Sequence, residues 1–312
     1  MSWEQYFRHY DKGRYGYKDD TVETLPAVLP MPPTDDFENM FVNCHDLKDV
    51  TALANWDVSN VKDMHCMFRW CGRLHDISAL ANWDTSKVIN MSNMFDGCSK
   101  LKDISALAKW NVSNVKDMSE MFTSCNLDDT AALANWDTSK VTNMGAMFYQ
   151  NSLKDISALA NWDTSKVTNM RFIFTANSFK DISALANWDV SNVTDMGYAF
   201  SNCDDISDFS ALSSWNVSNV KRMESIFERP YGRGSKISAL SSWNVSNVKR
   251  LDKVFGKCKR GRNCEESILM MRWEINKLKT HIQHFEDQLS EFTKWSWKEE
   301  EEEEEEEETA TD

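Results

Sequence analysis

Apolar positions along the chain follow a fixed rhythm instead of forming long runs. Trp56, Trp83, Trp110, Trp136, Trp162, Trp188, Trp215 and Trp243 recur at intervals of 26 to 28 residues. Twelve residues after each stands a Phe: Phe68, Phe95, Phe122, Phe148, Phe174, Phe200, Phe227 and Phe255. Leu lies three residues before every Trp, Ala four before, Ser three after and Val five after. The Trp-to-Phe half keeps one length, and all variation falls between Phe and the next Trp. That is the pattern of a packed element followed by a loop that tolerates insertion. Internal repetition of this period marks an array of small units.

Within one unit, Val115, Met118, Met121 and Phe122 are spaced i, i+3, i+6, i+7, which predicts a short helix with Ser113 at its N-cap. Leu101, Ile104 and Leu107 are spaced by three, and a brief strand near Lys102–Ser105 fits between them. A unit of this size cannot bury its own Leu, Trp, Val, Met and Phe. Stacked neighbours can, by joining them into one apolar spine. Four segments follow. Residues 1–35, with Pro26, Pro30, Pro32 and Pro33, read as an N-terminal cap and extended lead-in. Residues 36–258 hold eight units and a half-unit containing Phe37, Met40 and Phe41. Residues 259–298 read as a basic loop and a heptad helix. Residues 299–312 are an acidic tail, expected to be disordered by self-repulsion.

The motif MFDGCSKLKDISALAKWNVSNVKDM, from Met94 to Met118, resembles the BspA-like surface-protein repeats, a class of about this period related to leucine-rich repeats. The resemblance recurs in every unit. It implies an α/β solenoid, a leucine-rich-repeat-like right-handed coil with short parallel strands and short helices, to which this chain adds a C-terminal α-helix. It also implies binding or adhesion at a surface rather than catalysis.

Charge narrows the choice of partner. The formal net charge is −14, but the run Glu299–Glu308 and Asp312 supply most of it, so the body is only mildly acidic. It lacks the broad positive surface that a nucleic-acid backbone requires. No apolar run is long enough to span a membrane, and the opening MSWEQYFRHYDKGRYGYK lacks the apolar stretch of a signal peptide. The compartment stays open: cytoplasmic or within an assembly by default, although the resembled family sits at the cell surface. No phosphate-binding Gly loop, GxSxG or HExxH stands out of the repeat, so neither catalytic residues nor a cofactor are assigned, and an enzyme is not expected.

Two columns invite a chemical reading. Asp49, Asp76, Asp103, Asp129, Asp155, Asp181 and Asp208 each stand seven residues before a Trp, with Lys236 in the eighth unit. They can cap backbone N–H groups or pair with the preceding Lys48, Lys102, Lys154 or Lys180. They can also form a line of acceptors for a basic partner, or for calcium, which prefers more oxygens per ion than one column supplies. Cys44, Cys71, Cys98, Cys125, Cys203 and Cys258 share a column with Asn151 and Asn177, which suits a small buried side chain bonded to turn backbone better than a disulfide ladder. Cys66, Cys71, His65 and His75 lack finger or ribbon spacing, and no metal is assigned.

After Cys264 the period changes. Ile268, Met271, Ile275, Leu278, Ile282, Phe285, Leu289 and Phe292 form a heptad seam. Three roles are open to it: self-association as a coiled coil, capping of the last unit, or insertion into a partner's groove. The expected function is a non-enzymatic repeat scaffold for protein–protein or surface interactions, with protein as the partner class. The alternatives are a structural component of a larger assembly joined through this helix, and an adhesin.

Overall fold

The computed structural model describes residues 2–9, 15–228, 237–251, 254 and 269–290. In each unit a short 3-10 turn precedes the Trp, from Thr51–Leu53 in the first to Ser238–Ser242 in the last. Its Leu is buried, and the Trp closes it by donating its backbone N–H to the Leu carbonyl, as Trp110 does to Leu107 at 3.1 Å.

The helix expected over Val115–Phe122 is absent, and a train of turns takes its place. The N–H groups of Met118, Glu120, Phe122 and Ser124 donate to Asn143, Gly145, Met147 and Tyr149 in the following unit, at 2.8–3.0 Å. Those of Met121, Thr123 and Cys125 turn back to Met118, Glu120 and Phe122. The alternation needs a left-handed backbone at Glu120 (φ 56°) and Ser124 (φ 53°), and the same two positions are left-handed in the units of Cys66 and Trp70 and of Phe172 and Ala176. A non-glycine residue in that region costs roughly 1–2 kcal/mol. The bonds to the next unit, about 1 kcal/mol each, offset much of that cost. The train of turns shares the apolar spacing of a helix; the two differ in where the backbone bonds go. Only Gly97 (φ 75°) brings a glycine to one of these positions, and there Trp70 presses so close that a Cβ would lie 2.4 Å from its ring.

The strand expected near Lys102–Ser105 is also absent. Between described members of its column, Asp49 with Asp76 and Asp129 with Asp155 make single parallel bridges. A second column of single parallel bridges runs without a break from Asp36 through Asp63, Asn90, Asp117, Asn143, Asn169, Asp195 and Arg222 to Arg250. The array is therefore stitched by single-residue bridges and side chains, with no continuous strand among the described residues of the repeats. The two regular strands described, β1 (Phe7–His9) and β2 (Tyr15–Tyr17), pair antiparallel ahead of it.

One apolar cluster extends from Phe7 to Trp273. Phe rings stack in a file: Phe95 on Phe122 at 5.9 Å, Phe122 on Phe148 at 6.0 Å and Phe148 on Phe174 at 5.8 Å, tilted by no more than 11°. Indoles form a parallel file, with Trp136 6.4 Å from Trp162 and Trp162 6.3 Å from Trp188. Each indole Nε1 reaches one unit back to the carbonyl of a buried Leu, as Trp110 does to Leu80 at 2.9 Å. That carbonyl also accepts the Trp83 backbone N–H, so both its lone pairs are used.

Both ends copy this bond. At the first, Phe7 packs on Phe41 at 6.0 Å, Leu25 and Leu29 are buried, and the Leu29 carbonyl accepts Trp56 Nε1 at 2.8 Å. At the last, α1 (residues 269–290) lays Trp273 flat on Trp243, centroids 5.8 Å apart and planes 4° apart. Trp273 Nε1 donates to the Leu240 carbonyl at 3.0 Å, the place of a ninth repeat indole.

Candidate interaction surfaces

Three columns of mostly Asp or Asn hold the turns of the units. Members of the column seven before Trp accept, through Oδ1, the backbone N–H two residues on: Asp49 from Thr51, Asp76 from Ser78, Asp103 from Ser105, Asp129 from Ala131, Asp155 from Ser157, Asp181 from Ser183 and Asp208 from Ser210, at 2.8–3.1 Å. The backbone and hydroxyl bonds from the Ser two residues on hold the Asp76, Asp103 and Asp155 carboxyls below the usual carboxylate range. The capping role foreseen for this column is thus formed in all seven. The column after Trp repeats it, with Asp84 accepting from Ser86 and Asn111 from Ser113. Ser113 is therefore the donor of a turn and not the N-cap of a helix.

The third column, one residue before the Met, is the bridge column. Its Oδ1 atoms accept the N–H two residues on, as Asp117 does from Ser119. Its free ends also bond along the array: Asn90 Nδ2 to Asp63, Asn143 Nδ2 to Asp117, Asn169 Nδ2 to Asn143 and Arg222 Nε to Asp195. Asn or Arg interrupts the acids after Asp63, Asp117 and Asp195, so charge accumulates little there. Arg171 ties this flank across two units, to Glu224 at 2.5 Å and Asp195 at 3.6 Å, while lying over the Phe172 and Tyr198 rings. Burial opposes ionisation of Glu224, but the bond and charge of Arg171 hold its pKa down.

The seven-Asp column has no such interleaving. Asp129 and Asp155 line a groove of about 470 Å³ with Asp128, Thr130, Lys154 and Ser157. Lys154 pairs with Asp128 at 3.2 Å across its rim. Thr130 Oγ1 is buried there and makes no hydrogen bond, at a position where adjoining units place Ile104 and Ile156. This groove was not legible in the sequence; its signal was Thr130 in an otherwise apolar column.

The cysteine column is explained by one bond. Cys71, Cys98, Cys125 and Cys203 donate Sγ–H to the carbonyls of Phe41, Phe68, Phe95 and Phe174, and Asn151 and Asn177 send Nδ2 to Phe122 and Phe148. Cys and Asn interchange because each supplies a small donor to the same kind of acceptor. Burial raises these thiols, Cys203 to about 12. Cys71 points into the core, whereas His75 bonds the Arg73 carbonyl, so the four candidate zinc residues do not converge. Among the described residues no group of three or more His, Cys, Asp and Glu is arranged to hold a metal.

The helix α1 divides its faces. Leu269 and Trp273 are buried, and Lys277 Nζ donates to the Val248 carbonyl at 2.8 Å, so positions i, i+4 and i+8 dock on the last unit. The heptad seam faces elsewhere: Met271, Ile275, Leu278, Ile282, Phe285 and Leu289 are 50–68% exposed. Ile268 and Phe292 lie outside the described residues, as do the basic loop and the tail. No described helix is long and apolar enough to cross a membrane.

Small units with a recurring core, each bonded to the next, define a repeat protein. A family described as Mycoplasma protein of unknown function, DUF285, matches residues 35–155, 124–232, 150–267 and 176–301, overlapping as an array of like units should. The matches span most of the chain, which belongs to this family. No curated protein matches it.

Proposed function

We propose that the chain is a non-enzymatic repeat scaffold that binds a basic protein segment along its seven-Asp column, most strongly at the groove of Asp129 and Asp155. The finer placement among BspA-like solenoids, as a leucine-rich-repeat-like right-handed coil, belongs to the same reading. It is supported by the period, the parallel bridges and the stacked rings. One observation carries the binding role. The turn needs an acceptor oxygen but no charge, because Asn111, Asn216 and Asn244 serve equally in the column after Trp. In the seven-Asp column the first seven units nonetheless all carry Asp, and a donor, Lys236, enters only in the eighth. Charge beyond structural need, on an exposed row, suits Lys or Arg side chains of a partner.

The test is Asp103→Asn, Asp129→Asn and Asp155→Asn together in the full chain. Melting should stay close to wild type because the turn bonds survive, while capture of basic partners falls and loses its salt dependence. An unchanged set of captured partners removes this face from consideration. A second reading, a component of a larger assembly joined through α1, is favoured by the exposed seam.

A further inference from the structure

We propose that two copies of this chain pair through α1 as a short parallel coiled coil. This inference deepens the assembly reading above and is independent of the Asp column. An amphipathic helix normally turns its apolar stripe to a core. In α1 the stripe is turned away, because the side that meets the array is the opposite one. In the heptad with Ile275 and Ile282 at a and Met271, Leu278 and Phe285 at d, Trp273 occupies f, directly across the helix from the seam. Capping and pairing therefore do not compete for one face: Trp273 and Leu269 anchor the helix, and the seam remains exposed.

The flanking charges choose the occupant and its direction. In a parallel pair, g of one helix meets e of its mate five residues on. Glu274 then faces Lys279 of the second copy and His281 faces Glu286, each twice by symmetry, with no like charges opposed. An antiparallel pair centred on the seam sets Lys279 against Lys279 of its mate. The middle of the seam, Ile275, Leu278 and Ile282, places Ile at a and Leu at d, the choice that favours two parallel strands. Docking of Trp273 fixes the helix on the array, so pairing of the seams would join two arrays, one on each outer flank of the helix pair.

Sedimentation equilibrium of the full chain tests this. The expected mass is twice the 36.1 kDa of one chain, falling towards 36.1 kDa on dilution. Leu278→Glu with Ile282→Glu should give the monomer mass at all concentrations, with Trp273 fluorescence still that of a buried indole. Lys279→Glu alone should weaken pairing, and Glu274→Lys added to it should restore it. A wild-type chain that stays monomeric up to its solubility limit overturns the proposal, as does a seam variant that keeps the doubled mass. A Lys279→Glu variant that pairs more tightly overturns the parallel direction. The seam variants leave the Asp column intact, and the Asp→Asn variants leave the seam intact. Loss of mass and loss of partner capture therefore report separately on the two readings.

Discussion

The two ends of the array meet the same physical requirement with different materials. A stack of units ends in an exposed apolar edge and an unmatched half of its last indole–carbonyl bond. At the first end, irregular chain and the small β1–β2 hairpin supply Leu29 as acceptor and spread Phe7, Leu25 and Leu29 over the edge. At the other, a helix supplies Trp273 as donor and covers the edge with little more than Leu269 and that indole. Loop chain can turn its apolar residues one way, and here most of them face the array. A helix has a second side, and α1 carries its larger apolar stripe there. The sealing task is equal at the two ends; among the described residues the first leaves Val28 exposed, and the second leaves a whole stripe.

Changes at the two ends can break this contrast. Trp273→Ala, which deletes a fully buried indole, should cost about 3–5 kcal/mol in the units next to α1 and free the helix, read as an early phase in urea unfolding. Leu25→Ala at the opposite end should cost about 2–4 kcal/mol without touching the doubled mass. Comparable destabilisation of both ends by either change would mean that the array unfolds as one block. Trp273→Phe keeps one aromatic ring but loses the pyrrole ring and its bond. The Leu240 carbonyl still accepts the Trp243 N–H, so the lost bond costs about 0.5–1.5 kcal/mol, and the space left by the smaller buried ring adds to it. Acidification should act on the array more weakly than any of these. The Asp76, Asp103 and Asp155 carboxyls are held low by their turns, so their contribution is present above the unfolded value of about 3.9 and is lost as pH falls through the lower folded values. A melting temperature that rises between pH 5 and pH 3 would contradict the turn bonds.

The period, the Phe and Trp files, the interchange of Cys and Asn, and the Asp caps could all be read from the sequence, because each depends on which residue types recur at one spacing. The spacing over Val115–Phe122 predicts a helix that does not form, because apolar spacing reports a face and not the path of backbone bonds. The strand near Lys102–Ser105 failed for a related reason: single bridges need only one residue per unit and leave no alternation to detect. Trp273 lies at f, outside the seam, so the heptad pattern does not mark it. Its distance of 30 residues from Trp243, close to one period, was the signal that it continues the indole file. The groove at Asp129 depends on one Thr in an apolar column, which spacing alone does not weigh.

The claim on which the rest depends is that nine indoles, eight in the repeats and Trp273 in α1, donate to carbonyls one step back along a single stack. Solvent exchange of the Trp indole protons, followed by NMR, reads this directly. The expected result is slow exchange for Trp56, Trp83, Trp110, Trp136, Trp162, Trp188, Trp215, Trp243 and Trp273, against fast exchange for the half-exposed Trp70. Fast exchange at Trp273 beside eight slow signals would detach the helix from the array, and fast exchange throughout the file would contradict the stack itself.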